Sequence, residues 1–284
     1  MNYRHIYHAG NFADVFKHAI LCLIARHLRD KDSPFFLLDS HAGIGRYDLL
    51  SEEAGKTGEF HHGIGRLLAE PNPPPELVEY LAVIAALNGV TRLSPEALRW
   101  YPGSPLILRA ALRPQDRMAA VELHPADCDS LADEFIGDPQ VAIHAMDGYL
   151  ALKAFLPPVE RRGLVIVDPP FEQTDEFQRL AQGLQQAHRR WATGIYALWY
   201  PIKSRRPVDA FHADIASSGI RRVMMVELMI RPGHDPERLN GCGLLIINPP
   251  WRLMDQAQAL LTFLSPLFAQ PGTAPGRVAW LVGE

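Results

Sequence analysis

The chain has little cysteine, no long apolar run and no excess of positive charge, and each shortage removes a class of protein. It carries 3 cysteines in 284 residues. Cys22, Cys128 and Cys242 are far apart in apolar or ordinary helical surroundings, which argues against a disulfide framework or a zinc site and for reduced core thiols. No metal is expected. The richest apolar stretch, "AILCLIA", is bounded by His18 and Arg26, far short of the roughly 20 residues that cross a bilayer. The N-terminal "MNYRHIYHAGNFADVFKH" lacks the basic start, apolar middle and small-residue cleavage site of a signal peptide. A cytoplasmic protein with no membrane partner is the expectation. Lys and Arg total 28 against 32 Asp and Glu, a net charge of -4. A nucleic-acid partner would therefore have to use local basic patches, since the overall field does not attract it. Arg161 with Arg162, Arg189 with Arg190, the "KSRRP" run from Lys203 to Pro207, and Arg221 with Arg222 are the candidates, and each pair serves equally well as a solvated helix end.

What is present is enough apolar material, 48% of residues, for a large core. Between about Ala13 and Leu28 apolar residues recur at helical spacing. Then "PFFLLD" reads as a strand buried on both faces, as in a parallel sheet. Short apolar runs alternate with helical patterns from there: "MAAVE", "VAIHAMD", "GLVIVD", "GIYALWY", "VMMVELMI" and "CGLLIIN" are strands. This is a doubly wound, Rossmann-like α/β sheet, whose last two strands are expected to form an antiparallel pair at one edge. Residues 50–100, with "PNPPPELVEYLAVIAALNG" and no expected strand, read as a small helical insertion. The main domain then comprises 1–49 and 101–284. No internal repeat or low-complexity tract is present.

In such a sheet ligands gather at the carboxyl ends of the strands. Four successive strands end in acids: Asp39, Glu122, Asp147 (followed by Gly148) and Asp168. A phosphate-rich cofactor wants free amides and cations there. The turn "DSHAGIG" also lacks the third glycine of a dinucleotide fingerprint, and Glu122 lies far beyond its spacing of about 20 residues. Acids suit the hydroxyls, amines and sulfonium of S-adenosylmethionine. Glu122 would hold the ribose, Asp147 the adenine amine, and Asp39 with the turn through Gly43 and Gly45 the methionine end. Each acid alone is equally a helix N-cap; four in order are harder to explain that way.

The fourth acid opens "DPPF", residues 168–171. A carboxylate and a neighbouring carbonyl that accept both hydrogens of an aromatic amine would localise its lone pair toward a methyl donor. Pro169 and Pro170 stiffen the backbone and remove two N–H donors. Phe171 offers a face for an unstacked base. "NPPW" at 248–251 has the same pattern, but only 36 residues follow Asn248 (249–284), too few for the remaining elements. It is therefore assigned to a late strand end, with Trp251 as packing.

"YRHIYHAGNFADVFKH", "LDSHAGIGRY", "YPGSP", "ELHP", "DPPFE" and "ATGIYALWYP" together resemble the RlmJ family of bacterial 23S ribosomal RNA adenine-N6 methyltransferases over nearly the whole chain. The resemblance implies a class I S-adenosylmethionine-dependent methyltransferase fold with a helical insertion, S-adenosylhomocysteine as product, and methylation of adenosine 2030. The expected partner is 23S rRNA before full ribosomal assembly, and a monomer is compatible with the sequence. It implies cofactor contacts from His18, His41, Ser104, Glu122, Asp147, Gly148 and Asp168. Asp168, with Pro169 and Phe171, would be catalytic, while Tyr3 and Phe171 would meet the RNA. Phe171 stands where the family commonly has tyrosine; stacking survives this change and a hydroxyl hydrogen bond does not. Two competitors share some of these features. Amino-methylation of DNA adenine or protein glutamine uses the same [DN]PP[YF] chemistry, and a non-catalytic RNA-binding protein could retain the fold.

Overall fold

The computed structural model describes residues 4–233 and 235–284. Its strands are β1 (Phe36–Asp39), β2 (Arg46–Asp48), β3 (Trp100–Pro102), β4 (Arg117–Glu122), β5 (Val141–Ala145), β6 (Gly163–Val167), β7 (Ile195–Ile202), β8 (Val223–Met229), β9 (Gly241–Ile247) and β10 (Arg277–Val282). Its α-helices are α1 (Phe12–Arg29), α2 (Glu52–Thr57), α3 (Glu59–His62), α4 (Ile64–Ala69), α5 (Val78–Leu87), α6 (Ser104–Arg109), α7 (Pro125–Glu134), α8 (Gly148–Ala154), α9 (Glu176–Arg190), α10 (Arg205–Ser217) and α11 (Leu253–Phe268).

Eight strands form one sheet in the order β5-β4-β1-β6-β7-β9-β8-β10. The first five in that order are parallel, and β9 runs antiparallel between β7 and β8. A reversed strand inserted late into a parallel sheet is the arrangement of class I S-adenosylmethionine-dependent methyltransferases. The expected pair β8 and β9 is antiparallel, but it does not form the edge. β10 pairs antiparallel with β8 outside it. β10 carries a short apolar run, "VAWLV", but is only partly buried and shows no alternation, and it was not among the expected strands.

Alternation along each strand divides the core into two layers. Leu37, Ala120, Leu164, Ile166 and Ile246 face α1 and α11. Leu38, Val121, Val165 and Val167 face α8, α9 and α10. α1 begins where the Asn11 side chain accepts from the backbone N–H groups of Ala13 and Asp14 at 2.9 and 3.0 Å, a side-chain N-cap. The helix is then buried on nearly every side, so Asp14, Lys17 and His18 are buried with it.

The antiparallel ribbon of β2 and β3 pairs Arg46 with Pro102 and Asp48 with Trp100, and α2 to α5 lie on the chain between these strands. Trp100 therefore belongs to a strand within the segment expected to have none; three residues are too few to show alternation. Ile64, Leu67, Tyr80 and Ile84 of the insertion share one core with Phe16 and Ile20 of α1.

Candidate active site

The carboxyl ends of the parallel strands open onto a cavity of about 890 Å³. His18, His41, Ser104, Glu122, Asp147, Gly148, Asp168, Pro169 and Phe171 all line it, although they come from six separated stretches of chain. Tyr3 lies outside the described residues. Glu122, at the end of β4, accepts from the backbone N–H of Gly43 at 2.9 Å and from that of His124 at 2.8 Å. The positive φ of 62° at Gly43 brings its amide to this carboxylate at little conformational cost. Asp147 caps α8 by accepting from Tyr149 and Leu150 N–H at 2.9 and 3.0 Å, so its capping and cavity-lining roles coincide. At Gly148 a Cβ would come within 2.7 Å of the His41 ring; glycine lets β1's following turn and α8 close around the cavity. Burial depresses the His41 pKa to about 4, leaving a neutral imidazole whose Nδ1 lies 2.9 Å from Ser40 Oγ.

Asp39 and Gly45 are not among the cavity-lining residues, contrary to the expectation that they border the methionine end. Asp39 is fully buried, and its Oδ2 has no hydrogen-bond partner. Burial pushes its pKa up to about 7, against the opposing hydrogen bonds of Ser104 and the His41 amide. It lies beneath the Ser40–His41 turn as a support.

A buried charge network, which the motif analysis passed over, surrounds Asp168. Lys17 Nζ lies 2.6 Å from Asp168 Oδ2 and 3.0 Å from Asp14 Oδ1. Asp14 Oδ2 lies 2.9 Å from His5 Nε2 and accepts from Gly10 N–H at 3.0 Å. Burial opposes the Lys17 charge, but the two carboxylates outweigh it and hold its pKa well above the ordinary lysine value. Asp14 is likewise driven up by burial, yet His5 and Lys17 hold it well below the carboxylate range. The signal was available: Asp14 and Lys17 are three apart in a helix whose neighbours Val15, Phe16, Ile20 and Leu21 are apolar, and charges on such a face need partners. Which partner lay across the fold was not readable.

Phe171 has φ of 52°, an uncommon conformation for a bulky residue and one that tends to occur at functional sites. It packs edge-on against Phe177 at 4.9 Å and Trp199 at 5.9 Å. These rings hold its side chain beside Asp168 and Pro169 at the cavity.

The other expectations separate by position. Asn248 ends β9, which is antiparallel to β7, so "NPPW" is at the opposite end of the sheet from Asp168. The Asn248 amide donates to Ala192 and Gly194 carbonyls, both at 2.8 Å. Trp251 is 75% exposed, so its assignment to packing is wrong; it lies on the surface with Arg252 over its ring at 4.9 Å. In the "KSRRP" run only Lys203 lines the cavity. Arg205 instead donates to both Glu227 oxygens at 2.9 and 2.8 Å and to Asp209 at 2.8 Å. Arg162 donates to the carbonyls of Ser33 and Leu28 at 2.7 and 2.9 Å, and Arg190 to that of Leu156 at 2.8 Å. These two arginines and the Arg221–Arg222 pair lie at the starts of strands or the end of α9, away from the cavity. Cys22, Cys128 and Cys242 are buried and unpaired. Among the described residues, no group of side chains could hold a metal ion, and no helix is long and apolar enough to cross a membrane.

Residues 32–282 match the family model described as "Ribosomal RNA large subunit methyltransferase D, RlmJ". The chain is 43% identical to ribosomal RNA large subunit methyltransferase J of Escherichia coli K12 over 284 residues, covering 100% of each. It is 40% identical to the protein of the same name from Haemophilus influenzae, again covering 100% of each. A crystal structure of a Legionella pneumophila protein, 34% identical, superposes with a TM-score of 0.87 and covers 96% of this chain and 98% of that one.

Proposed function

This chain belongs to the RlmJ family of large-subunit ribosomal RNA methyltransferases, and from that premise we propose that it methylates N6 of adenosine 2030 in 23S rRNA with S-adenosylmethionine as donor. The observation that carries this reading is the meeting of Asp168, Phe171 and the Glu122–Asp147–His18 wall in one cavity. The residues suit that cofactor. Glu122 and Asp147 offer acceptors to hydroxyl and amine hydrogens. Gly148 leaves room where a Cβ would strike His41, and His18, which lines the cavity, holds a buried polar atom without a partner. His41 and Ser104 complete the proposed cofactor wall.

S-adenosylmethionine supplies an electrophilic methyl group. The protein's task is to present the amine. Lys17 takes Asp168 Oδ2, which leaves Oδ1 to accept an N–H of the target adenine. That hydrogen bond turns the nitrogen lone pair out of conjugation, and the carboxylate stabilises the positive charge that develops on nitrogen. Pro169 contributes no N–H donor of its own, so it does not compete with the amine for the Asp168 carboxylate. Phe171 supplies the stacking face for a base removed from its neighbours. Lys203 on the cavity wall is placed to meet RNA phosphate.

The test is a purified-protein assay with labelled cofactor on 23S RNA, duplex DNA and a release factor, followed by mapping of the modified nucleotide. Label in RNA at N6 of adenosine 2030 is expected. Label confined to DNA or to glutamine would replace this reading with a sibling activity, and cofactor binding with no transfer to any acceptor would favour a binding protein.

Phe171→Ala should lower single-turnover methylation by roughly tenfold or more, because base–aromatic stacking is worth about 1–3 kcal/mol. Calorimetric affinity for S-adenosylhomocysteine should remain within about twofold of wild type. Equal losses in both measurements would mean that Phe171 shapes the cofactor pocket and not the base site.

A further inference from the structure

His18 is fully buried, and its two ring nitrogens have different surroundings. Nδ1 lies 3.0 Å from the Tyr101 hydroxyl, which lies 2.9 Å from the Tyr80 hydroxyl. Both tyrosines are wholly buried. Tyr80 comes from α5 of the insertion and Tyr101 from β3. Nε2 has no hydrogen-bond partner; Asp14 Oδ1, at 3.9 Å, is too far for one. Since His18 lines the cavity and Nδ1 is committed to Tyr101, Nε2 is the polar atom it can offer a ligand.

The hydrogens in this chain can be assigned by counting. Burial, reinforced by the nearby Lys17 charge, holds the His18 pKa well below its ordinary value, so the ring carries one N–H. Each tyrosine adds one O–H. If Tyr80 donates to Tyr101 and Tyr101 donates to Nδ1, both hydroxyl hydrogens are used and the ring hydrogen sits on Nε2. If the chain runs the other way, from Nδ1–H to Tyr101 to Tyr80, the Tyr80 hydrogen points into the core with no acceptor among the described residues. Each direction leaves one donor unpaired: in the first it is Nε2–H, on a ring that lines the cavity, and in the second it is a hydroxyl in the core, where such groups are rare. The Asp14 carboxylate near Nε2 also favours a hydrogen at that nitrogen.

We infer that Tyr101 is a positioning residue that fixes His18 as the Nε2–H tautomer, making it a hydrogen-bond donor to the carboxylate end of S-adenosylmethionine. This rests on the proposed cofactor. The carboxylate is the end that needs a donor: Glu122, Asp147 and Asp168 are acceptors, and Lys17 is already held by Asp14 and Asp168.

The test uses the full chain labelled with ¹⁵N and long-range ¹H–¹⁵N spectra, with the His18 signals assigned by their absence in His18→Gln. Wild type should show the Nε2–H pattern. Tyr101→Phe should abolish that bias and weaken S-adenosylhomocysteine binding by about tenfold in calorimetry. Tyr80→Phe, which removes an equally buried hydroxyl but leaves Tyr101 free to donate to Nδ1, should keep the tautomer and bind within about twofold of wild type. An Nδ1–H pattern in wild type overturns the inference without any variant. So does a Tyr101→Phe protein that keeps the Nε2–H pattern, or equal losses in the two variants, which would indicate packing. Failure of wild type to bind S-adenosylhomocysteine would instead refute the cofactor assignment, and the tautomer would still be read from the spectrum.

Discussion

Asp168→Asn should bind cofactor and RNA nearly as wild type does and lose on the order of 10²-fold or more in methyl transfer. The amide oxygen can still accept one N–H bond, so the base can still be placed. It carries no net charge to oppose the positive charge developing on the amine, and removal of one preorganised electrostatic partner typically has an effect of about that size. The Pro169–Pro170 step and β6, whose five residues are all buried, should keep the turn in place. Both binding constants should be measured beside single-turnover rates. Turnover within a few-fold of wild type, with both ligands bound, would remove the carboxylate from the mechanism and leave only backbone carbonyls and geometry.

Lys17→Met should be more damaging, because it acts on stability and chemistry together. The lysine lies between Asp14 and Asp168, at 3.0 and 2.6 Å, with its side chain only 6% exposed. Its loss leaves the Asp14 and Asp168 carboxylates facing one another with no cation between them. Breaking a buried pair by removing one partner commonly costs about 3–5 kcal/mol. Denaturant unfolding should show a loss of that order. Single-turnover methylation of the folded fraction should fall by roughly 10²-fold or more, since Asp168 loses the group that fixes its orientation. Asp14→Asn, which retains both Lys17 and Asp168, should cost less rate than Lys17→Met. If Lys17→Met loses stability but methylates within a few-fold of wild type, the lysine is structural only. If it loses neither, the network contributes nothing beyond packing.

Much of the fold was legible because the physics that sets it is local and periodic. A strand buried on both faces reads as an unbroken apolar run, as "FFLLD" and "LVIVD" do, and a helix reads by its 3.6-residue spacing. The acids at or just after the ends of β4, β5 and β6 could be placed at the cavity because parallel strands all end at one side of the sheet; the one at the end of β1, Asp39, lies beneath it. The strands that went unread were β2 and β3, each three residues long, and β10, a short and only partly buried apolar run. Their existence depends on the strand they pair with, which is distant in sequence.

The sequence by itself determined the α/β class, the mostly helical character of the chain between the first glycine turn and "YPGSP", and a candidate amine clamp at Asp168, since each is written in contiguous residues. Only the tertiary structure decided where the two proline motifs stand. "DPPF" and "NPPW" follow the same kind of strand, and residue order gave only an indirect reason to prefer the first. The reversal of β9 against β7 sends Asn248 to the far end of the sheet and leaves Trp251 exposed. In the same way, Lys17 meets Asp168 across 151 positions of chain, and Tyr80 reaches His18 through Tyr101. Strand direction and long-range side-chain pairing arise from how complete elements pack, and a linear pattern carries neither.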